Sequence, residues 1–98
     1  MINVPILSSL SESRFPRNSI RISLFNAHSI NTLVKQSEIN NFILDHQIDV
    51  FFIVETWLKG VGDEAKIADL TPSGYATRSF PLANRGGGLA IIAKSHIL

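Results

Sequence analysis

The segment Ile48-Asp49-Val50-Phe51-Phe52-Ile53-Val54-Glu55-Thr56-Trp57-Leu58 sets the architecture of the chain. From Val50 to Val54 five apolar residues run without a break between Asp49 and Glu55. The run is short and filled with β-branched and aromatic side chains, so it reads as a strand. Unbroken apolar character, as opposed to alternation, predicts a strand covered on both faces, as in an interior or parallel position. Glu55 then stands where the buried strand ends, at the rim where open α/β sheets place their ligands. The plainer reading of Glu55 is a lead into a turn, or a cap on a short helix at Thr56-Trp57.

Working back from this strand, Ile20-Arg21-Ile22-Ser23-Leu24-Phe25 alternates and then closes on two apolar residues. That pattern predicts a strand with one buried face. The short polar residues Asn26 to Asn31 form a loop, and Asn31 or Thr32 is placed to cap a helix. Ile39, Phe42, Ile43 and then His46 or Gln47 make the i, i+3, i+4, i+7 stripe of an amphipathic helix over about Leu33 to His46. Asn40, Asn41 and Asp45 fall on its wet side. Strand, helix and strand make a βαβ unit, whose crossover is right-handed in nearly all proteins and sets its two strands parallel.

Working forward, Lys59 to Asp63 reads as a loop and Glu64 to Leu70 as a short helix. Thr71-Pro72-Ser73-Gly74 has the composition of a turn. Tyr75 to Phe80 and Gly88 to Ala93 are strands whose link is too short for a crossover helix, which makes them an antiparallel pair. Residues 1–18, broken by serines and Pro16, read as a disordered or loosely attached leader, and residues 19–98 as the domain.

Ninety-eight residues suit one small domain, and 45% apolar content is that of a globular chain. A formal charge of +1 gives no global field for nucleic acid, so any such contact has to be local. The absence of cysteine excludes disulfides and thiolate metal sites and fits an intracellular setting. The start of the chain lacks the basic and continuous apolar regions of a signal peptide. No stretch approaches the length of a membrane span, so no membrane partner is expected.

Asn26 and Glu55 end two strands expected to be parallel, so both side chains should emerge at one rim. A carboxylate there suits a hard cation such as Mg²⁺, which keeps waters and shares its other positions with phosphates. A neutral amide beside it orients a phosphate or a water without adding negative charge. His28, on the same loop, has two readings, a phosphate contact or a solvated side chain. Trp57, two residues past Glu55, reads as packing or as a support that positions the carboxylate. His46 and His96 read as structural or exposed. Arg85-Gly86-Gly87-Gly88 is not a phosphate loop, because its glycines lead into a strand and not a helix. Their expected task is a tight turn, a bulge or a close backbone approach, with Arg85 free to face a nucleic-acid backbone.

Asn26-Ala27-His28-Ser29-Ile30, Ile48-Asp49-Val50 leading to Glu55-Thr56-Trp57-Leu58, Pro72-x-Gly74-Tyr75 and Arg85-Gly86-Gly87-Gly88-Leu89-Ala90-Ile91 occur in this order. Together they resemble the N-terminal part of the endonuclease/exonuclease/phosphatase superfamily, over about Ser19 to Leu98. The nearest likeness is to the apurinic-type endonuclease domains of LINE-type retrotransposons, which precede a reverse transcriptase. The resemblance implies an α/β fold in which this chain is the N-terminal half of a four-layer α/β sandwich, incomplete at its C-terminal side. It implies metal-dependent phosphodiester cleavage with Mg²⁺ (or Mn²⁺), DNA as substrate of the intact domain and a nuclear setting. Glu55 would bind the divalent ion, and Asn26 would help organise metal and phosphate. His28 stands where look-alikes commonly have arginine. The family's later Asp-x-Asn motif, further aspartates and closing Asp-His pair have no counterpart in these 98 residues.

The expected function is therefore that of a fragment of a retroelement endonuclease, inactive by itself and prone to self-association through an uncovered sheet face. Two rivals stand beside it. One is a non-catalytic relic, or a module that binds nucleic acid weakly through Arg78, Arg85 and Lys94. The other is a phosphatase of the same superfamily.

Overall fold

The computed structural model describes residues 2–3, 19–82 and 87–98. Among these residues the elements run β1 (Ile2–Asn3), β2 (Ile22–Asn26), α1 (Leu33–Asp45), β3 (Val50–Val54), α2 (Glu64–Leu70), β4 (Tyr75–Phe80) and β5 (Leu89–Lys94). The strands form one mixed sheet in the order β1-β2-β3-β5-β4. β2 and β3 are adjacent and parallel, as the βαβ pattern requires, with Asn26 opposite Val54. β5 lies antiparallel to β3 and to β4, as the short link between β4 and β5 predicts. Within the stretch read as a leader, Ile2 and Asn3 pair antiparallel with Leu24 and Ser23 of β2. These two residues thus belong to the sheet, because β2 otherwise presents an open row of backbone groups. The remainder of that stretch lies outside the described residues.

Helix α1 begins at Thr32, whose hydroxyl accepts the Lys35 amide at 3.2 Å. Its inner stripe is Gln36, Ile39 and Ile43, and the buried Gln36 side chain is satisfied by donating to the Ile30 carbonyl at 2.8 Å. Asn40, expected on the wet side, donates to the Asp69 carbonyl and ties α1 to α2. The helix closes through a left-handed Gln47, with the Ile48 amide on the Ile43 carbonyl and the Gln47 amide on the Leu44 carbonyl. This is the bonding of a Schellman cap, with glutamine at the position that usually carries glycine.

The sheet has two unlike faces. Phe51 and Ile53 are fully buried, together with Ile92 and Ala90 of β5, and Phe42 of α1 sits 5.9 Å from Phe51 between ring centroids. Val50, Phe52 and Val54, on the opposite face, are only half-buried. The uninterrupted apolar run is therefore covered on one face, not on both. The same sidedness corrects the reading of β2: Ser23 is fully buried, whereas Ile22 and Leu24 are half-buried on the open side. Helices cover one layer of the sheet, so alternation alone did not say which set of side chains faces them.

The rim at the start of β3 is closed by polar contacts. Asp49 accepts the Arg21 amide at 2.8 Å and pairs with the Lys94 ammonium at 3.0 Å, while the Tyr75 hydroxyl donates to the Ile48 carbonyl at 2.6 Å. The hydrogen bond to Asp49 raises the Lys94 pKa and keeps the ammonium charged, against the opposing effect of burial.

Truncating the two neighbouring phenylalanines separates the faces. Phe51→Ala should cost about 3–5 kcal/mol of stability, the range for a fully buried aromatic, and Phe52→Ala distinctly less. Urea unfolding midpoints of the two variants check this, and equal losses would restore the two-sided reading.

Candidate functional site

The strand-end rim opposite Asp49 is built by extending the parallel pairing past the strands themselves. Ala27 donates to the Val54 carbonyl at 3.0 Å, Ser29 to Glu55 at 2.7 Å and Ile30 to Thr56 at 3.1 Å. On the other flank, Thr56 donates to Gly88 at 3.4 Å and Trp57 to Gly87 at 2.7 Å. The Glu55-Thr56-Trp57 turn is therefore clamped from both sides by backbone.

The clamp holds a strained conformation. Among the described non-glycine residues, positive φ occurs at His28 (50°), Ser29 (91°), Gln47 (53°), Glu55 (56°) and Trp57 (59°). All but Gln47 lie in the two loops of this rim. Such conformations cost on the order of 1–3 kcal/mol each and persist where surrounding bonds over-determine them, which is common at functional sites.

Asn26 and Glu55 meet at this rim as the sequence predicts. The Asn26 amide nitrogen donates to Glu55 Oε2 at 2.9 Å. His28 joins them, with Nδ1 3.4 Å from Glu55 Oε1. The imidazole is 75% exposed and the carboxylate 39%, so the group opens to solvent. Among the described residues, no set of three or more His, Asp or Glu side chains is placed to hold a metal ion. The donor set is thus one carboxylate, one imidazole and one amide. It fits a divalent cation that keeps most of its shell as water, as Mg²⁺ commonly does.

The other singled-out residues fall elsewhere. Trp57 is fixed through its backbone, and its indole stands 45% exposed at the rim. Arg78 is exposed on β4, and Lys94 is engaged with Asp49 at the opposite rim. Arg85 lies outside the described residues. His46 stacks on Phe42 with centroids 4.0 Å apart, a structural place.

Two residues matter here that the sequence did not single out. Thr56 is fully buried, and a Cβ at Gly88 would come within 2.8 Å of its hydroxyl oxygen. Of the three tasks the sequence left open for the glycines, this contact matches the close backbone approach. Asp63, buried, accepts the Lys59 and Gly60 amides at 2.7 and 2.8 Å and pairs with Lys66 at 3.2 Å. It pins the loop that leaves Leu58. Burial pushes its carboxyl upward, but the Gly60 and Lys59 hydrogen bonds and Lys66 outweigh this and leave the pKa below 3.8. A short Asp-to-amide spacing of three or four residues was the signal available in the sequence.

Comparison with known proteins places this geometry in context. Neither protein-family models nor curated proteins give a match. Solved structures do. The AP endonuclease LMAP from Leishmania major superposes with a TM-score of 0.68 at 22% identity, over 96% of this chain and 28% of that one. An AP endonuclease from Archaeoglobus fulgidus gives 0.59 at 20% identity, over 76% of this chain and 27% of that one. The chain has an AP-endonuclease-like α/β fold. The chain spans less than a third of the length of these two proteins. Among the described residues, no helix is long and apolar enough to cross a membrane.

Gly88→Ala should destabilise the chain by about 1–3 kcal/mol, since it adds both a clash with the buried Thr56 and a left-handed alanine. Thermal melting checks it, and the clash-free Gly62→Ala contrast, also left-handed at φ 77° but with nothing within 4 Å of its Cβ, should lose only the φ penalty. Asp63 makes a pH-dependent contribution. A carboxyl depressed on folding stabilises the chain fully above its unfolded pKa of about 4, and that stabilisation is lost as pH falls through the lower folded value. Asp63→Asn should therefore flatten the acid side of the stability–pH curve below about pH 4.

Proposed function

We propose that this chain is the N-terminal part of a metal-dependent endonuclease domain that cleaves phosphodiesters in DNA, of LINE-type retroelement origin. The observation that carries the proposal is the Asn26–Glu55 hydrogen bond at 2.9 Å on adjacent parallel strand ends, inside a backbone held in left-handed strain. The AP-endonuclease-like fold and the ordered set of motifs from Asn26 to Ile91 support it. The retroelement origin rests on the motif resemblance, and a nuclear setting for the intact parent follows from it.

In this reading Glu55 holds a divalent cation, Mg²⁺ or Mn²⁺, weakly. The cation, when bound, neutralises charge developing on the phosphate oxygens. Asn26 holds the carboxylate in one orientation by donating to Oε2, which leaves Oε1 turned to the other side. The clamped turn keeps Glu55 at the rim without reorganisation, which is how a fixed electrostatic site acts.

By itself the chain does not cut. General acid–base catalysis is typically worth about 10²–10⁴-fold, and among the described residues no aspartate joins the Glu55 group to supply it. The half-buried apolar face bearing Ile22, Leu24, Val50, Phe52 and Val54 favours self-association over an ordered site.

Two measurements test the proposal. Glu55→Gln should lower Mn²⁺ affinity at least about tenfold, because it removes the only anionic donor of the group; unchanged affinity removes Glu55 from the site. Supercoiled plasmid with Mg²⁺ or Mn²⁺ should remain intact with the wild-type chain and with Glu55→Ala alike. Nicking by the wild type that vanishes in the variant would show that the chain is an enzyme unaided. An Asp-x-Asn motif, an Asp-His pair and a polymerase region downstream in the source transcript would support the retroelement origin.

A further inference from the structure

We infer that His28 is an inner nitrogen ligand of the rim cation, and that it turns the site's preference from Mg²⁺ towards a later first-row transition ion such as Co²⁺. The inference rests on the metal-centre reading of Glu55 given above.

The geometry carries it. Glu55 presents two carboxylate oxygens, and the structure divides them between neighbours. Asn26 takes Oε2 at 2.9 Å, and His28 Nδ1 faces Oε1 at 3.4 Å. Two donors bound side by side to one octahedral ion at roughly 2.1 Å stand about 3 Å apart, so a small closure of this pair brings both onto one ion. The backbone sets the imidazole in place. His28 and Ser29 both have positive φ, and the Ser29 amide donates to the Glu55 carbonyl at 2.7 Å, so the turn folds His28 back over the residue it faces. A plain solvated histidine needs no such turn.

The chemistry then decides the ion. Mg²⁺ takes oxygen ligands and gives up water reluctantly, and Mn²⁺ likewise suits oxygen donors, whereas imidazole suits the later first-row ions. A surface His–Glu ion pair is the competing account of the contact. Exposed pairs of that kind contribute little to stability and discriminate between no metals.

The experiment measures equilibrium binding of Mg²⁺, Mn²⁺ and Co²⁺ separately to the full chain at neutral pH. It compares wild type with His28→Asn, His28→Gly and Glu55→Gln. Asparagine and glycine both tolerate the left-handed backbone of position 28, so the turn survives, and thermal melting verifies it. Both His28 variants should lose about tenfold in Co²⁺ affinity while Mg²⁺ and Mn²⁺ affinities stay within about twofold. In the Co²⁺-loaded wild type, the His28 imidazole proton resonances should be strongly shifted, and those of His46 and His96 not. Equal losses for all three ions, no loss for any, or an unshifted His28 overturns the inference. If Glu55→Gln still abolishes binding in those cases, the metal centre stands and only the role of His28 falls. If the wild type binds none of the three ions, or Glu55→Gln binds them unchanged, the metal centre falls and His28 with it.

Discussion

The parallel pairing of β2 with β3 is the constraint on which the rest of the rim depends. It sets Asn26 opposite Val54, so that Glu55 is the first residue past the paired strand. The same ladder continues through Ala27, Ser29 and Ile30, whose amides find the carbonyls of Val54, Glu55 and Thr56. A slip of one residue would turn Asn26 and every side chain of β2 to the other face. The register is held by what lies far from the rim. Phe51 and Ile53 are locked under α1, and Asp49 ties Arg21 and Lys94 together at the other end of the strands.

The two rims divide the work of the sheet. At the Asp49 rim the polar groups satisfy one another: a carboxylate accepts an amide and an ammonium, and a tyrosine hydroxyl reaches a carbonyl. At the Glu55 rim the backbone is strained and the carboxylate remains partly open to solvent. Backbone hydrogen bonds from both flanks offset that strain, which is why the glycines at 87 and 88 matter. Gly87 and Gly88 bring carbonyls against the turn, and Gly88 leaves room for the Thr56 hydroxyl that a side chain would displace. A rigid, strained turn that ends in an accessible carboxylate stabilises the fold less than a relaxed turn would, and strain of this kind clusters at functional sites.

The unequal faces of the sheet bear on the same point. Helices cover Phe51, Ile53 and Ile92, while Ile22, Leu24, Phe52 and Ile91 remain half-buried on the other side. The chain covers less than a third of the AP endonucleases whose fold it shares. Among the described residues, the half-buried apolar face goes with a rim at which Glu55 is joined by no second carboxylate.

Local pattern determined the elements of this protein, because each one repeats with the period of its own hydrogen bonding. The Val50–Val54 run gave a strand, the Ile39–Ile43 spacing a helix, and the short link between β4 and β5 an antiparallel pair. Strand–helix–strand then forced Asn26 and Glu55 to one rim, where they hydrogen-bond. Sequence also offered the glycines as a tight turn, a bulge or a close backbone approach, without choosing among these or naming Thr56 as what Gly88 approaches. Only the tertiary structure decided which face of each strand is covered. Period two is the same for both faces, and the choice belongs to where the helices pack. It alone assigned Lys94 to Asp49, drew Ile2 and Asn3 into the sheet and folded His28 back onto Glu55. Those outcomes depend on residues 20 or more positions apart meeting in space, and no local pattern encodes such distances.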